Sequence, residues 1–245
     1  MNQLPLPYRV PAMLGNQYML SEVLEELPDR VLYAAQHTDI RRDVIIDCLR
    51  PEFASNEQVV SGFLAMARAK VHLPSKRVAV VHEMLQEDGS WQLVSERIVG
   101  EPLERLLAGG AGLSPFLMAR LVRCLCRISL WMDIENLASM GFELRHCYLV
   151  DSDFRFINPV VAGYRESTAS RDYLVEAASK ILPLLDMSAE GSQEMHHFLT
   201  KIHEEAQWTV LTPQEIADEA LFFQLTHAQQ ESKQRGEQSN IAISI

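Results

Sequence analysis

The stretch Leu93-Val94-Ser95-Glu96-Arg97-Ile98-Val99-Gly100-Glu101-Pro102-Leu103 divides the chain. A β-branched apolar run ends there, Gly100 and Pro102 break it, and the hydrophobic period changes downstream. Upstream, five segments rich in Val, Ile, Leu, Tyr or Trp read as strands: Tyr18 to Leu24, Arg30 to Gln36, Asp43 to Leu49, Val78 to Leu85 and Trp91 to Ile98. Turn residues separate them: Leu27-Pro28-Asp29, the polar His37-Thr38-Asp39, and Glu87-Asp88-Gly89-Ser90, where Asp-Gly supplies the positive φ of a tight hairpin. Ser55 to Leu73 interrupts this block as one amphipathic helix, because Val59, Val60, Phe63, Leu64 and Ala67 recur at three and four.

Downstream the helical period dominates. Leu103 to Leu107 reads as a short helix ended by Gly109-Gly110-Ala111-Gly112, a run with the composition of a linker. Ser114-Pro115 starts a long helix, a hydroxyl cap followed by a residue whose missing N–H costs nothing at that position. Leu117, Leu121, Cys124, Leu125, Ile128 and Trp131 form its stripe. Tyr148 to Asp151 and Phe154 to Ile157, joined by Ser152-Asp153, read as a small hairpin set apart from the main sheet. Asp172 to Leu185, a helix lined by Met195, Phe198, Leu199 and Ile202, and a capping box at Thr212-Pro213-Gln214-Glu215 complete the helical part. Strands first and helices after predict an α+β fold of two lobes. The expected organisation is an N-terminal extension at 1–17, a strand-rich lobe at 18–98, a helical lobe at 99–226 and a polar, disordered tail at 227–245.

Composition narrows the function. A chain of 245 residues, 47% hydrophobic and 22% charged, has the apolar content of a folded protein. Its 22 basic and 33 acidic residues leave a formal charge of −11, which repels phosphate backbones and anionic lipid; nucleic-acid binding and direct membrane insertion are not expected. Ile241 to Ile245 turn apolar again, so an anchor beyond residue 245 is an open expectation. Four cysteines without CxxC spacing fit a reducing cytoplasm. His196, His197 and His203 lack ligand spacing, so no metal and no cofactor are expected.

The order of elements, and the residues within them, resemble a protein kinase of the bacterial Ser/Thr type. Arg30-Val31-Leu32-Tyr33-Ala34-Ala35 is similar to the "VYLA" strand after the glycine-rich loop, and Asp43-Val44-Ile45-Ile46-Asp47-Cys48-Leu49 to the strand reading VAIKxL. Phe63 to Arg68 falls at the regulatory helix and Leu73-Pro74 at the "HP" that follows it. Leu93 to Leu103 resembles the hinge "LVxEyvxGexL"; Cys147 to Asp151 with Phe156-Ile157-Asn158 resembles "NILLD…xxxIDFG"; Asp172-Tyr173-Leu174 resembles "DvysLG". The resemblance runs from about Tyr18 to Gln224 and implies a bilobal protein kinase-like fold with a shortened helical lobe.

The same alignment implies that the chemistry has been removed. Kinases need glycines over the phosphates, a Lys held by a Glu, a catalytic Asp, and an Asn and Asp for magnesium. Here Leu24-Glu25-Glu26-Leu27-Pro28-Asp29 has no glycine, Asp47 stands at the Lys, Met66 at the Glu, Phe142 at the catalytic Asp, Cys147 at the Asn and Asn158 at the DFG Asp. Glu143 is a lone carboxylate near the vacant catalytic position. Glu25, Glu26 and Asp47 read as solvated strand-end residues, the alternative being an acidic cleft for a basic peptide. Asp172 is expected to hold the catalytic-loop backbone. The resemblance implies a pseudokinase rather than an enzyme, acting as a protein-binding scaffold or regulatory adaptor with a protein partner. The alternative is a metal-independent nucleotide or small-ligand sensor using the interlobe cleft through hinge residues Glu96, Arg97 and Ile98.

Overall fold

The computed structural model describes residues 6–72, 76–87, 89–134, 141–157, 169–204 and 212–226. The chain forms two compact units, and the boundary falls between Ile98 and Val99.

The first unit is built on one antiparallel sheet of order β1-β2-β3-β4-β6-β5: β1 (Ala12–Leu14), β2 (Tyr18–Glu26), β3 (Arg30–His37), β4 (Arg42–Leu49), β5 (Val81–Glu87) and β6 (Ser90–Glu96). Side chains alternate across a strand, so Val31, Tyr33 and Ala35 share one face with Val44, Ile46, Cys48 and Val94, and all are buried in one cluster with Leu14, Tyr18 and Leu20. Residues 6–14 cover that face: Tyr8 donates its N–H to the Tyr33 hydroxyl at 3.1 Å, and that hydroxyl donates to the Tyr8 carbonyl at 3.0 Å. The strand Ala12–Leu14 within the stretch read as an extension escaped the sequence analysis because three residues show no period. The edges are tied to each other, since the Tyr18 hydroxyl donates to Glu83 and the Gly15 N–H to Glu87 at 2.8 Å.

The opposite face carries Arg30, Leu32, Ala34, Ile45, Asp47 and Leu49, and α1 (Glu57–His72) packs on it. Its cap is Asn56, whose side-chain oxygen accepts from the N–H groups of Gln58 and Val59, so the helix starts after the expected Ser55. The strand predicted from Val78 begins instead at Val81, because the Val80 N–H is satisfied by the Glu96 carboxylate rather than by a ladder bond. Gly89 takes φ 75° in the β5–β6 turn, as its place there requires; Asp88, Leu73 and Pro74 lie outside the described residues.

The second unit holds β7 (Glu101–Pro102), α2 (Leu103–Ala108), α3 (Pro115–Ile134), β8 (Cys147–Val150), β9 (Asp153–Phe156), α4 (Ala169–Ile181), α5 (Ser192–His203) and a last helix, α6, over residues 213–226. The hairpin does stand apart from the main sheet, as expected, and joins β7 in a three-stranded sheet, β7-β8-β9; its turn is Asp151-Ser152, both at positive φ. The Gly109 to Gly112 run is not a linker. Gly110 at φ 70° closes α2, with Ala111 N–H on the Leu106 carbonyl and Gly110 N–H on that of Leu107, a Schellman cap. A Cβ on Gly112 would lie 2.8 Å from the Asp186 Cα, so only glycine lets these backbones meet. Helix α4 ends at Ile181 rather than Leu185 because Pro183 has no N–H to continue it, and a 3-10 turn follows. Ser114 caps α3 and Thr212 with Glu215 forms the capping box of α6, as their residue types predict. Among the described residues no helix is long and apolar enough to cross a membrane.

Candidate functional site

In the first unit the structure gathers charges where a phosphate-gripping lysine was sought. Asp47, on β4, is only 3% exposed. It lies diagonally across the ladder from Arg30, since Arg30 pairs with Leu49 and Leu32 with Asp47, and the guanidinium Nε reaches a carboxylate oxygen at 3.7 Å. Arg30 extends to α1, where its Nη1 donates to the Met66 Sδ at 3.3 Å. One turn further along α1, Lys70 is buried and its charge acts on Asp47. Burial pushes the Asp47 carboxyl above its usual range, with Arg30 and Lys70 opposing, and burial lowers Lys70 to about 8 against the pull of Asp47. Neither Asp47 oxygen accepts a hydrogen bond from a described residue. Arg50, also buried, pairs with Glu26 at 3.3 Å and donates from Nε to the Leu27 carbonyl.

This corrects the expectation of a solvated or cleft-lining carboxylate at Asp47, which is a core residue met by a buried guanidinium, because a carboxylate on a sheet face covered by a helix requires a counter-charge there. Glu26, at the end of β2, is exposed as expected. Arg30 and Lys70 were missed. The signal for Lys70 is in the sequence: Phe63, Met66, Ala67 and Lys70 fall on one helical stripe, which puts an ammonium among core positions. Of the hinge residues, Glu96 is engaged on both sides, its N–H donating to the Val80 carbonyl and its carboxylate accepting from the Val80 N–H; Ile98 is buried and Arg97 exposed.

In the second unit, Phe142 is 2% exposed and packs edge-on against Tyr173 with ring centroids 6.2 Å apart. Cys147 is buried on β8 near the same tyrosine, and burial drives both the thiol and the phenol well above their usual ranges. The loop carrying Phe142 is held from α4, but not by Asp172, which is exposed and forms no hydrogen bond with a described residue. Lys180, two turns along the helix, does that work: its ammonium donates to the Phe142 carbonyl at 2.6 Å and to Glu143 at 3.0 Å, and pairs with Glu176 at 2.7 Å. Burial pulls this ammonium down, yet bonds to Glu176 and Glu143 hold it above the usual lysine range. Glu143 is therefore engaged in an ion pair. Asn158 lies outside the described residues.

No protein-family model and no curated protein matches the sequence. Solved structures do match in shape. A crystal structure of a single-site alanine mutant of the Mycobacterium tuberculosis PknI kinase domain superposes with a TM-score of 0.65 at 13% identity, covering 88% of this chain and 98% of that one. The PknI kinase domain without that substitution gives 0.64 at 13% identity, over 88% and 99% of the two chains. The fold is protein kinase-like. In this kinase-like chain the strand-rich and helical units follow the order that the hinge stretch at Leu93 to Leu103 implied, and α1 occupies the place of the inserted helix in the strand-rich block. Identity this low carries the shape alone, so the chemistry rests on the residues themselves.

Proposed function

We propose that this kinase-like chain is a catalytically inactive pseudokinase domain that acts as a protein-binding scaffold or regulatory adaptor. The observation that carries the reading is the inverted charge cluster. Where a cation would meet phosphate stands Asp47, and the cations that belong to the cluster, Arg30 and Lys70, are turned to that carboxylate in the core. Buried Phe142 supports the same reading, since an apolar ring packed edge-on against Tyr173 takes no proton from a hydroxyl nucleophile. Glu143, tied to Lys180, is a poor substitute base. The four cysteines are buried free thiols, which supports a reducing, cytoplasmic setting.

The test has two arms. Thermal unfolding with and without ATP and magnesium should show no stabilisation, whereas ligand at a hundredfold its dissociation constant would add about 2.7 kcal/mol. Autophosphorylation and transfer to mixed peptides should be undetectable. Magnesium-dependent transfer that disappears in Glu143→Gln would refute the proposal. Stabilisation by ATP alone, indifferent to magnesium, would move the reading to a nucleotide sensor.

A further inference from the structure

Helices α5 and α6 pack through Phe198 and Phe223, whose rings stack 5.6 Å apart with 30° between their planes, and Lys201 reaches Glu219 at 3.4 Å. Along this seam runs an open groove of about 470 Å³, lined by Glu194, His197, Phe198, Lys201, Glu219 and Phe223 among others. Phe223 floors the groove beside the buried Phe198, and Glu194 and the Lys201–Glu219 pair edge it. Residues 190–204 and 212–226 hold six carboxylates, Glu190, Glu194, Glu204, Glu215, Asp218 and Glu219, against the one lysine Lys201, a net of −5 with histidines neutral. Beside it, α6 has a second apolar edge. Ile216 and Ala220 are buried on its core side, while Phe222 and Leu225 point outward at 70% and 67% exposure. Folding satisfies the first edge and leaves the second in water.

The charge selects the occupant. An acidic segment, a nucleic acid or an anionic lipid surface meets a field of its own sign near these two helices, and a second copy of them brings another −5. A neutral apolar segment would cover carboxylates without offering a partner. We propose that the α5–α6 face docks a short basic segment of a partner protein, with one aromatic or large aliphatic side chain seated against Phe222 and Phe223 and Lys or Arg side chains paired with Glu194 and Asp218. This rests on the adaptor reading above and names the chemistry of its partner.

The test is selection of short random peptides displayed on phage against the full chain, followed by titration of the enriched peptides with the wild type, Glu194→Lys and Phe222→Ser. Both positions are exposed, and an unchanged thermal midpoint checks that the variants fold. Enriched peptides should be basic with an aromatic or aliphatic anchor, lose about tenfold or more in affinity for either variant, and weaken in high salt. Enrichment of neutral or acidic peptides, or of none, overturns the assignment. Basic peptides that bind both variants as well as the wild type also overturn it, and they leave the adaptor reading standing with its surface elsewhere. Self-association in sedimentation, abolished by Phe222→Ser, would give the face to a second copy and overturn it as well. Phosphotransfer by the chain would sink the adaptor reading independently of these titrations.

Discussion

Arg30 and Asp47 should show a coupling several times that of a surface pair at the same distance. Arg30 to Met and Asp47 to Asn, made singly and together, form a cycle that isolates their attraction. At 3.7 Å and an effective dielectric of about 20, Coulomb's law gives roughly 4 to 5 kcal/mol for unit charges. The control is Arg105 with Glu101, a pair four residues apart at 3.6 Å whose arginine side chain is 76% exposed; solvent screening and side-chain entropy reduce such pairs to about 0.2–1 kcal/mol. The single Asp47→Asn variant understates the pair, because it removes the burial penalty that raises the carboxyl along with the attraction. Only the cycle separates the two. Urea unfolding followed by circular dichroism at pH 7 should give a core coupling above about 2 kcal/mol that survives molar salt, and a surface coupling that does not. A core coupling no larger than the control would mean that Arg30 and Asp47 are not an ion pair, and the proposal of an inactive domain would lose the observation that carries it.

Phe142→Ala should cost about 3–5 kcal/mol through the cavity, with roughly 0.5–1.5 more from the lost ring contact to Tyr173, and Phe142→Asp should cost at least as much while restoring no transfer; a loss under about 1 kcal/mol in denaturant would contradict a core role. Lys70 titrates near 8 in the folded chain and at 10.5 unfolded, so between these values the unfolded state holds the extra proton and stability rises with pH. Thermal midpoints of the wild type relative to Lys70→Met should therefore climb from about pH 8 to 10.5, and a flat or falling difference would place the ammonium in solvent. Gly112→Ala should destabilise by roughly 1–3 kcal/mol, because its Cβ meets the Asp186 backbone and parts the bonds between Leu113 and the Leu184 to Asp186 segment, which amide exchange at Leu113 and Asp186 would report.

Much of this structure is legible residue by residue. The Gly89 turn, the Ser114 and Thr212 caps and the stripe of α3 involve neighbours within about one helical turn or hairpin, where residue chemistry acts locally. The Gly109 to Gly112 run misled because flexibility and close backbone approach demand the same residue, and only the position of Asp186 distinguishes them. Asp172 was expected to hold the loop backbone, but Lys180, further along the same helix, is the residue that reaches the Phe142 carbonyl.

By itself the amino-acid order determined the kinds of elements and their succession, since these depend on period, composition and position alone. Tertiary structure decided what Asp47, Met66, Phe142 and Cys147 touch. Whether a carboxylate is solvated or buried beside a guanidinium depends on which helix covers its face of the sheet, and Arg30, Asp47 and Lys70 are brought together by strand pairing and helix packing across separations no local pattern encodes.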